Sequence, residues 1–321
     1  MIARRVLVTG ATGFVGEAVV MRLLLDGLVT PVAAVRRSTR LAGLCPIVMF
    51  DLESEVGLPS FDNIDTVIHA SARVHVMKEV ASDALFAFRK VNVDGTVRLA
   101  QKAAEAGVRR FVFISSIKVN GEFTRPGCPF TANDTPAPLD PYGISKLEAE
   151  SALKDIGLKT GMEIVIIRPP LVYGPGVKAN FSRMMGGLMR RLPLPLGDIN
   201  NRRSLVSLNN LVDLVVTCID HPAAKNQIFL VGDGKDYSTS ELLRYLRAAL
   251  GGKALLVPFP QGVLTFSLKV VGLGVVAQRL CGSLQVDISK TKDVLGWIPP
   301  FAPEKEFKKT ALSFLDVHRS P

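Results

Sequence analysis

The chain has 321 residues, of which 48% are hydrophobic and 21% are charged, so it can form a large core and is not disordered throughout. Its formal net charge of +10 favours anionic partners such as phosphorylated small molecules. The basic residues are scattered, and one tryptophan and four tyrosines offer few rings for stacking on bases, so we expect no nucleic-acid binding.

The cysteines and the N-terminal sequence predict a reduced, cytoplasmic protein. None of the four cysteines forms a C-x-x-C pair, and the four histidines lack the spacing of metal ligands, so we expect no metal site. The N-terminus runs directly into an apolar strand, unlike a signal peptide. The apolar stretch 263–280 contains Lys269, Gln278 and Arg279, which favours a buried or interfacial helix pair over a membrane span.

The first half of the chain alternates apolar runs with helical periodicity. The runs are nearly continuous in valine, isoleucine and phenylalanine, which is typical of a parallel sheet covered by helices on both faces. The pattern predicts an α/β fold with a doubly wound parallel sheet of the Rossmann type. The predicted strands are 6–9, 32–35, 47–50, 66–69, 111–115 and 164–168, and the predicted helices are 16–25, 84–106 and 141–153.

A change of composition after residue 170 predicts a second, smaller domain. Proline and glycine cluster at 169–176 and again at 192–198, as in loops that carry function. Helical patterns follow at 238–250 and 303–314. We therefore expect a first domain over 1–170, rejoined by the segment at about 205–225, and a second domain over most of 171–321.

The first predicted strand ends in three regularly spaced glycines. Residues 6–16 read V-L-V-T-G-A-T-G-F-V-G, with Gly10, Gly13 and Gly16 before a predicted helix. Glycine allows a tight turn and a close backbone approach to a pyrophosphate, and the helix N-terminus supplies free N–H groups. This pattern predicts a dinucleotide site, in which we also place Thr12, Phe14 and Val15.

The second predicted strand is followed by arginines instead of an acidic residue. An acidic side chain at this position binds the ribose hydroxyls of NAD, whereas arginine pairs with the 2′-phosphate of NADP. Arg36 and Arg37 therefore favour NADP(H), with NAD(H) as the alternative. After the third strand, we expect Asp51 and Leu52 to contact the adenine.

A Y-x-x-x-K pattern places Tyr142 and Lys146 on one face of a predicted helix. A neighbouring ammonium lowers the pKa of a phenol, so we expect Lys146 to bring Tyr142 towards a working acid/base and to bind the nicotinamide ribose. Ser116, at the end of an upstream strand, provides a hydroxyl for the substrate oxygen. These three residues are the predicted catalytic group.

Together these motifs resemble the extended short-chain dehydrogenase/reductases of the NAD-dependent epimerase/dehydratase family, which modify sugar nucleotides. The resemblance spans nearly the whole chain. The matching segments are T-G-A-T-G-F-V-G (9–16), H-A-S-A (69–72), N-V-D-G-T (92–96) and R-P-P-L-V-Y-G-P-G (168–176).

The resemblance implies an NAD(P)-binding first domain, a substrate-binding second domain and a homodimer formed through helices near 84–106 and 141–155. It adds cofactor residues, namely Ala70, Ser71, Ala72, Asn92 and Pro169. It also implies a UDP-sugar substrate, with contacts from Ser116, Lys118, Asn120, Asn180, Leu196 and Arg203.

Two departures from the family pattern shape the expected activity. Leu171 replaces a common asparagine, and Lys118 and Asn120 alter the predicted sugar pocket. Ile117 and Lys118 stand where 4,6-dehydratases have an acid/base pair, which argues against a dehydratase. The favoured interpretation is NADPH-dependent reduction at C4 of a UDP-4-keto-6-deoxy-N-acetylhexosamine in O-antigen (lipopolysaccharide) synthesis. The alternatives are a UDP-hexose or UDP-N-acetylhexosamine 4-epimerase and, more distantly, a non-catalytic NADP-sensing protein.

Overall fold

The computed structural model describes residues 4–54, 57–73, 81–190 and 192–319. Within them, a seven-stranded parallel sheet forms the centre of the molecule. Its strands are β1 (Arg5–Thr9), β2 (Thr30–Val35), β3 (Ile47–Met49), β4 (Ile64–His69), β5 (Arg110–Ile114), β6 (Glu163–Arg168) and β10 (Gln227–Leu230). They lie in the order β10-β6-β5-β4-β1-β2-β3. The order reverses between β1 and β4, the point where doubly wound sheets bind ligands.

The predicted α/β fold class is confirmed. All six predicted strands are present, and their ends differ from the prediction by at most two residues. The seventh strand, β10, was not predicted. It pairs with β6 through four residues, Gln227 to Leu230, and such a short apolar run has no periodicity that separates a buried strand from a helix segment.

Helices cover both faces of the central sheet. They are α1 (Phe14–Asp26), α2 (Ala81–Phe88), α3 (Thr96–Glu105), α4 (Pro141–Thr160) and α6 (Leu208–Asp220). α1 and α6 pack on one face, and α3 and α4 pack on the other. The single helix predicted at 84–106 is interrupted by a π-helical segment, Arg89–Gly95, which separates α2 from α3.

Part of the remaining chain forms a third apolar core around Tyr173, Phe181 and Phe307. One small sheet joins β7 (Leu171–Tyr173), β9 (Arg203–Ser207) and β11 (Asp236–Tyr237), and another joins β8 (Pro193–Leu194) and β12 (Leu255–Leu256). The helices are α5 (Ala179–Met189), α7 (Thr239–Leu250), α8 (Gln261–Val270), α9 (Gly274–Cys281), α10 (Ser289–Leu295) and α11 (Pro303–Arg319). Among the described helices, none has the length and apolar character needed to cross a bilayer. The domain boundary at residue 170 stays a prediction.

A buried ion pair joins α4 to the carboxyl end of β6. Glu150 and Arg168 are 0% and 1% exposed, and the guanidinium binds both carboxylate oxygens, at 2.9 and 2.5 Å. Ser115, at the end of β5, donates to the same carboxylate at 2.5 Å. Arg168 also donates to Asn120 at 2.9 Å. These bonds fix α4 relative to the ends of β5 and β6.

Because removal of one partner leaves a buried charge without compensation, we expect Arg168→Met to lower the free energy of unfolding by about 3–5 kcal/mol. The exposed pair Lys102–Glu105 supplies the control, since Lys102→Met should cost less than about 1 kcal/mol. Urea denaturation of both variants measures the difference. Equal losses in the two variants would contradict the central role given to the buried pair.

Candidate active site

The turn between β1 and α1 packs so closely against neighbouring backbone that it requires glycine. Gly10 has a φ of +67°, and a Cβ atom on it would lie 2.9 Å from the backbone of Ala70 and Ser71. A Cβ atom on Gly16 would lie 2.2 Å from the carbonyl oxygen of Gly10. α1 begins after Gly13, and no side chain caps its N-terminal N–H groups. These unpaired donors and the positive end of the helix dipole suit the pyrophosphate of a dinucleotide.

The other predicted residues of this turn lie around the same helix end. Thr12 is exposed, while Phe14 and Val15 are half-buried at the start of α1. Ala70, Ser71 and Ala72 are half-buried after β4. The structure therefore brings the first and fourth strand ends together, as the sequence predicts for a cofactor site. The individual cofactor contacts stay predictions.

His69, next to these residues, is buried and holds the strand ends together. Its ring nitrogens lie 2.6 Å from the Thr9 hydroxyl and 3.0 Å from the Thr96 hydroxyl. Burial and the nearby Lys146 lower the pKa of His69 to about 3. The ring is therefore neutral at physiological pH and links β1, β4 and α3.

Asn92 lies in the π-helical segment and uses its amide to position other parts of the site. Its Oδ1 accepts from the backbone N–H of Arg73 at 2.8 Å, and its Nδ2 donates to the Arg73 carbonyl and the Ser145 hydroxyl, each at 3.1 Å. A π-helical turn often occurs at a functional site, where it re-aims side chains. Asn92 therefore fixes the loop after β4 to α4, and its predicted cofactor contact is untested.

The predicted adenine and ribose contacts lie at the ends of β2 and β3. Arg36 and Arg37 are exposed, and neither forms an ion pair with another described residue. Leu52 is buried, and a Cβ atom on Gly95 would come within 2.8 Å of its carbonyl oxygen. The Asp51 carboxylate accepts from the backbone N–H of Glu53 at 3.1 Å. Two exposed guanidinium groups thus lie at the position predicted for a 2′-phosphate, and this contact stays a prediction.

Tyr142 and Lys146 lie in the first two turns of α4. Asp140 caps this helix through a 2.7 Å bond from the backbone N–H of Gly143, and Pro141 is the first helical residue. Lys146 is 2% exposed; its Nζ donates to the Ile114 carbonyl at 2.8 Å and lies 4.3 Å from the centre of the Phe113 ring. α4 therefore places the amine at the end of β5.

The electrostatic environment differs from the expectation for this pair. Burial, and secondly the Asp140 carboxylate, raise the pKa of Tyr142 above its usual value. Burial lowers the pKa of Lys146 to about 7, against the opposite effect of the Glu150 carboxylate. Any lowering of the Tyr142 pKa by Lys146 is therefore outweighed by burial in this structure, because the buried amine is largely desolvated and holds its charge weakly.

Ser116 is half-buried directly after β5, in the position predicted for a substrate hydroxyl donor. It precedes a single 3-10 turn, Ile117–Val119, and its Oγ accepts from the backbone N–H of Lys118 at 3.3 Å. The turn is fixed to the end of β6, because Ile117 donates to the carbonyl of the buried Pro169 at 2.9 Å. Ser116 and α4 are thus held by the same strand ends.

Two predicted substrate residues have protein partners instead of open side chains. The Lys118 ammonium binds the Asp140 carboxylate and also Glu122, at 3.0 Å for the latter. Asn120 is 2% exposed, donates to the Thr131 carbonyl and accepts from Arg168, each at 2.9 Å. Both residues support the loops around the site, and substrate contacts by either residue stay predictions.

The remaining substrate residues lie in the C-terminal part of the chain. Asn180 is exposed at the start of α5, and Leu196 is half-buried, with its carbonyl accepting from the Ser240 hydroxyl at 2.7 Å. Arg203 donates to the Gly282 carbonyl at 3.0 Å, and burial lowers the pKa of its guanidinium. No described contact joins these three residues to Ser116 or Tyr142, so their role with substrate is untested.

Sequence analysis missed Glu150, although a signal for it was present. Tyr142, Lys146 and Glu150 follow one another at i, i+4 and i+8, so they share one face of α4. A carboxylate on the buried face of a helix requires a cationic partner. Arg168, which precedes Pro169 in the sequence, is the cationic partner of Glu150.

Comparison with known proteins identifies the family. A model of the NAD dependent epimerase/dehydratase family matches residues 6–232. The chain is 47% identical to a UDP-glucose 4-epimerase of Vibrio cholerae over 98% of this chain and 97% of that protein. Its fold is similar to UDP-glucuronic acid 4-epimerase from Bacillus cereus in complex with NAD, with a TM-score of 0.78, 19% identity and coverage of 98% and 99%. It is also similar to RMD from Pseudomonas aeruginosa complexed with NADPH, with a TM-score of 0.71, 21% identity and coverage of 98% and 99%.

The chain belongs to the NAD dependent epimerase/dehydratase family, of the extended short-chain dehydrogenase/reductase type. The predicted class, an NAD(P)-dependent enzyme that acts on sugar nucleotides, is confirmed. The non-catalytic alternative is accordingly set aside. The dinucleotide chemistry of the class is hydride transfer, and the glycine turn, the uncapped end of α1 and the loop after β4 fit the group that supplies it.

We expect Gly16→Ala to weaken dinucleotide binding at least about tenfold, because the new methyl group collides with the Gly10 carbonyl at the phosphate turn. Gly262→Ala is the control, since the same atom meets nothing within 4 Å there. Fluorescence titration with NADH and NADPH measures both variants. Unchanged dinucleotide binding by Gly16→Ala would contradict the assignment of this turn as the phosphate-binding turn.

The low pKa of Lys146 also predicts a pH dependence of stability. Because its folded-state pKa of about 7 lies below the ordinary value of 10.5, the unfolded chain binds more protons between those pH values, and stability rises with pH in that window. Lys146→Met should therefore be more stable than the wild type at pH 7. This advantage should shrink as the pH approaches 10.

Urea denaturation across this pH range, with exposed Lys308→Met as the control, measures the difference. If the stability advantage of Lys146→Met over the wild type stays constant or grows with pH, the lowered pKa of Lys146 is contradicted.

Proposed function

We propose that this enzyme transfers a hydride at C4 of a UDP-sugar and acts as a UDP-hexose or UDP-N-acetylhexosamine 4-epimerase. The 47% identity to a UDP-glucose 4-epimerase over nearly the whole chain is the observation that carries this proposal. It supports the epimerase alternative better than the reductase that the sequence alone favoured. The predicted homodimer and the role in O-antigen synthesis remain expectations.

The proposed chemistry uses the residues at the ends of β5 and α4. The turn at Gly10, Gly13 and Gly16 and the N-terminus of α1 would hold the dinucleotide, which would supply reversible hydride transfer at C4. As its phenolate, the minor form at neutral pH, Tyr142 takes the proton of the C4 hydroxyl, and as the phenol it gives the proton back, while Ser116 donates a hydrogen bond to the same oxygen. The resulting 4-ketone must present its other face before reduction for the configuration at C4 to invert.

Lys146 has two roles in this proposal. An ammonium has three N–H donors, and the Ile114 carbonyl occupies one of them, so others are available for the nicotinamide ribose. When protonated, the amine also stabilises a developing phenolate on Tyr142. Its pKa of about 7 means that both protonation states are accessible at neutral pH. Phe113 and Ile114 hold the amine in this position.

A specific observation favours a second candidate, the 4-keto reductase. Arg36 and Arg37 are exposed and without described ion pairs at the predicted 2′-phosphate position, and the segment after β2 offers no carboxylate there. NADP(H) suits net reduction, which consumes one reduced cofactor in each turnover. The same Tyr142, Lys146 and Ser116 serve this reaction.

The experiment compares wild type and Tyr142→Phe in the interconversion of UDP-glucose and UDP-galactose, and of their N-acetylated forms, without added dinucleotide. We expect turnover by the wild type and a loss of at least about 10²-fold in Tyr142→Phe, because the proton donor is deleted. Tyr245→Phe, partly exposed on α7, is the matched control and should retain activity.

Unchanged turnover in Tyr142→Phe would contradict the catalytic assignment. Wild-type consumption of NADPH with a UDP-4-keto-6-deoxy-N-acetylhexosamine, without interconversion of UDP-sugars, would replace the epimerase with the reductase.

A further inference from the structure

Helices α8 and α9 form a hairpin that exposes many apolar side chains. The two helices pack against each other, and α8 has no buried residue. Seven large apolar residues of the hairpin are each at least 39% exposed, and we call them the apolar hairpin face: Val263, Phe266, Val270, Val271, Leu273, Val275 and Val276. A contiguous exposed group of this kind marks an interaction surface more often than an ordinary stretch of protein surface.

The hairpin is held at its base and free at its tip. At the base, Gln261 accepts from the backbone N–H of Asn200 at 2.9 Å and donates to the Cys281 carbonyl at 3.2 Å. Ala277 and Cys281 supply the buried residues of α9. The turn between the helices, Val271 to Leu273, is exposed. A ten-residue helix is only marginally stable alone in water, so burial of its apolar side chains against another surface would stabilise α8.

The charge of this region is of one sign. Between Glu241 and Asp287 the sequence contains no acidic residue and five basic ones, Arg244, Arg247, Lys253, Lys269 and Arg279. Lys269 and Arg279 lie on the hairpin itself and are exposed. The apolar hairpin face therefore lies in a segment, 242–286, whose charged residues are all basic.

We propose that the apolar hairpin face docks onto an anionic phospholipid bilayer. Exposed Phe, Leu and Val side chains enter the boundary between headgroups and acyl chains, and Lys269 and Arg279 bind the phosphates, as in interfacial amphipathic helices. At about 1.5 Å per residue α8 is about 15 Å long, half of a hydrocarbon core, so it lies in the interface and does not span it.

The charges favour a bilayer over a second copy of the chain. A two-fold contact through this face would place Lys269 and Arg279 of each copy against the same positive region of the other. Like charges brought together in an interface oppose association, whereas anionic headgroups attract both residues. The complementarity therefore points to lipid.

This surface lies beside the predicted substrate region. Arg203 donates to the Gly282 carbonyl, directly after α9, and Asn201 donates to the Leu280 and Gly282 carbonyls. Docking of the hairpin would therefore hold one edge of that region close to the membrane surface. The inference concerns binding to lipid and does not depend on which sugar-nucleotide reaction the enzyme performs.

The test is flotation of the purified full chain with vesicles of phosphatidylcholine containing phosphatidylglycerol. We expect the wild type to float and the double variant F266S/L273S to partition at least about tenfold less, because it loses two exposed apolar side chains. Leu28→Ser, at an 82% exposed position after α1, is the matched control and should float as the wild type does.

A second pair of variants tests the charge. Lys269→Glu should reduce flotation with the anionic vesicles, whereas Lys308→Glu, an exposed lysine on α11, should not. Circular dichroism and sugar-nucleotide turnover verify that each variant is folded. Equal flotation with phosphatidylcholine alone would overturn the requirement for anionic lipid.

Failure of the wild type to float, or equal flotation of F266S/L273S, would overturn the proposal. So would a wild-type oligomer that dissociates in F266S/L273S without any vesicle binding, because the face would then be covered by another copy of the chain.

Discussion

The buried pair of Glu150 and Arg168 determines how the catalytic helix meets the sheet. Two charges removed from water are stable only when their geometry and remaining hydrogen bonds are well satisfied. Here Ser115 and Asn120 complete the network, so the carboxylate and the guanidinium each have their partners. Because these residues come from α4, β5, β6 and the loop after β5, one network sets the relative positions of the elements that carry Ser116, Tyr142 and Lys146.

The burial that fixes these elements also determines the protonation of Tyr142 and Lys146. Lys146 lies one helical turn before Glu150 and is held against Phe113 and the Ile114 carbonyl. An amine in such a place loses hydration, which lowers its pKa, and a phenol in such a place becomes harder to ionise. Residues 142–150 of α4 therefore carry both the proposed acid/base groups and the buried carboxylate that fixes the helix.

The fold and the cofactor half of the site could be predicted because their determinants are local in sequence. Continuous apolar runs identified six strands, and Gly10, Gly13 and Gly16 identified the tight turn between β1 and α1. The spacing of Tyr142 and Lys146 identified the face of α4. The strand β10 was missed because four residues carry no periodicity, and it joins the sheet about 60 residues after its neighbour β6.

Other features depend on contacts that the sequence does not show. The sequence predicted ligand contacts for Asn92 and Asn120. In the structure, the Asn92 amide bonds to Arg73 and Ser145, and the Asn120 amide bonds to Thr131 and Arg168. The ion pair between Lys118 and Asp140 joins residues 22 positions apart. The pKa of Tyr142 follows from burial and Asp140, which helix spacing alone does not give. The sequence thus proposed the reacting groups, whose roles stay predictions, and missed the contacts that surround them.

The most direct test of the central claim follows a deuterium label at C4 of UDP-glucose. The enzyme is incubated with this substrate without added dinucleotide, and the UDP-galactose formed is analysed by mass spectrometry and NMR. Transfer and return of the same hydride within one site predicts UDP-galactose that keeps deuterium at C4. Absence of product would contradict epimerisation of UDP-glucose, and product with hydrogen from solvent at C4 would contradict transfer and return of the same hydride.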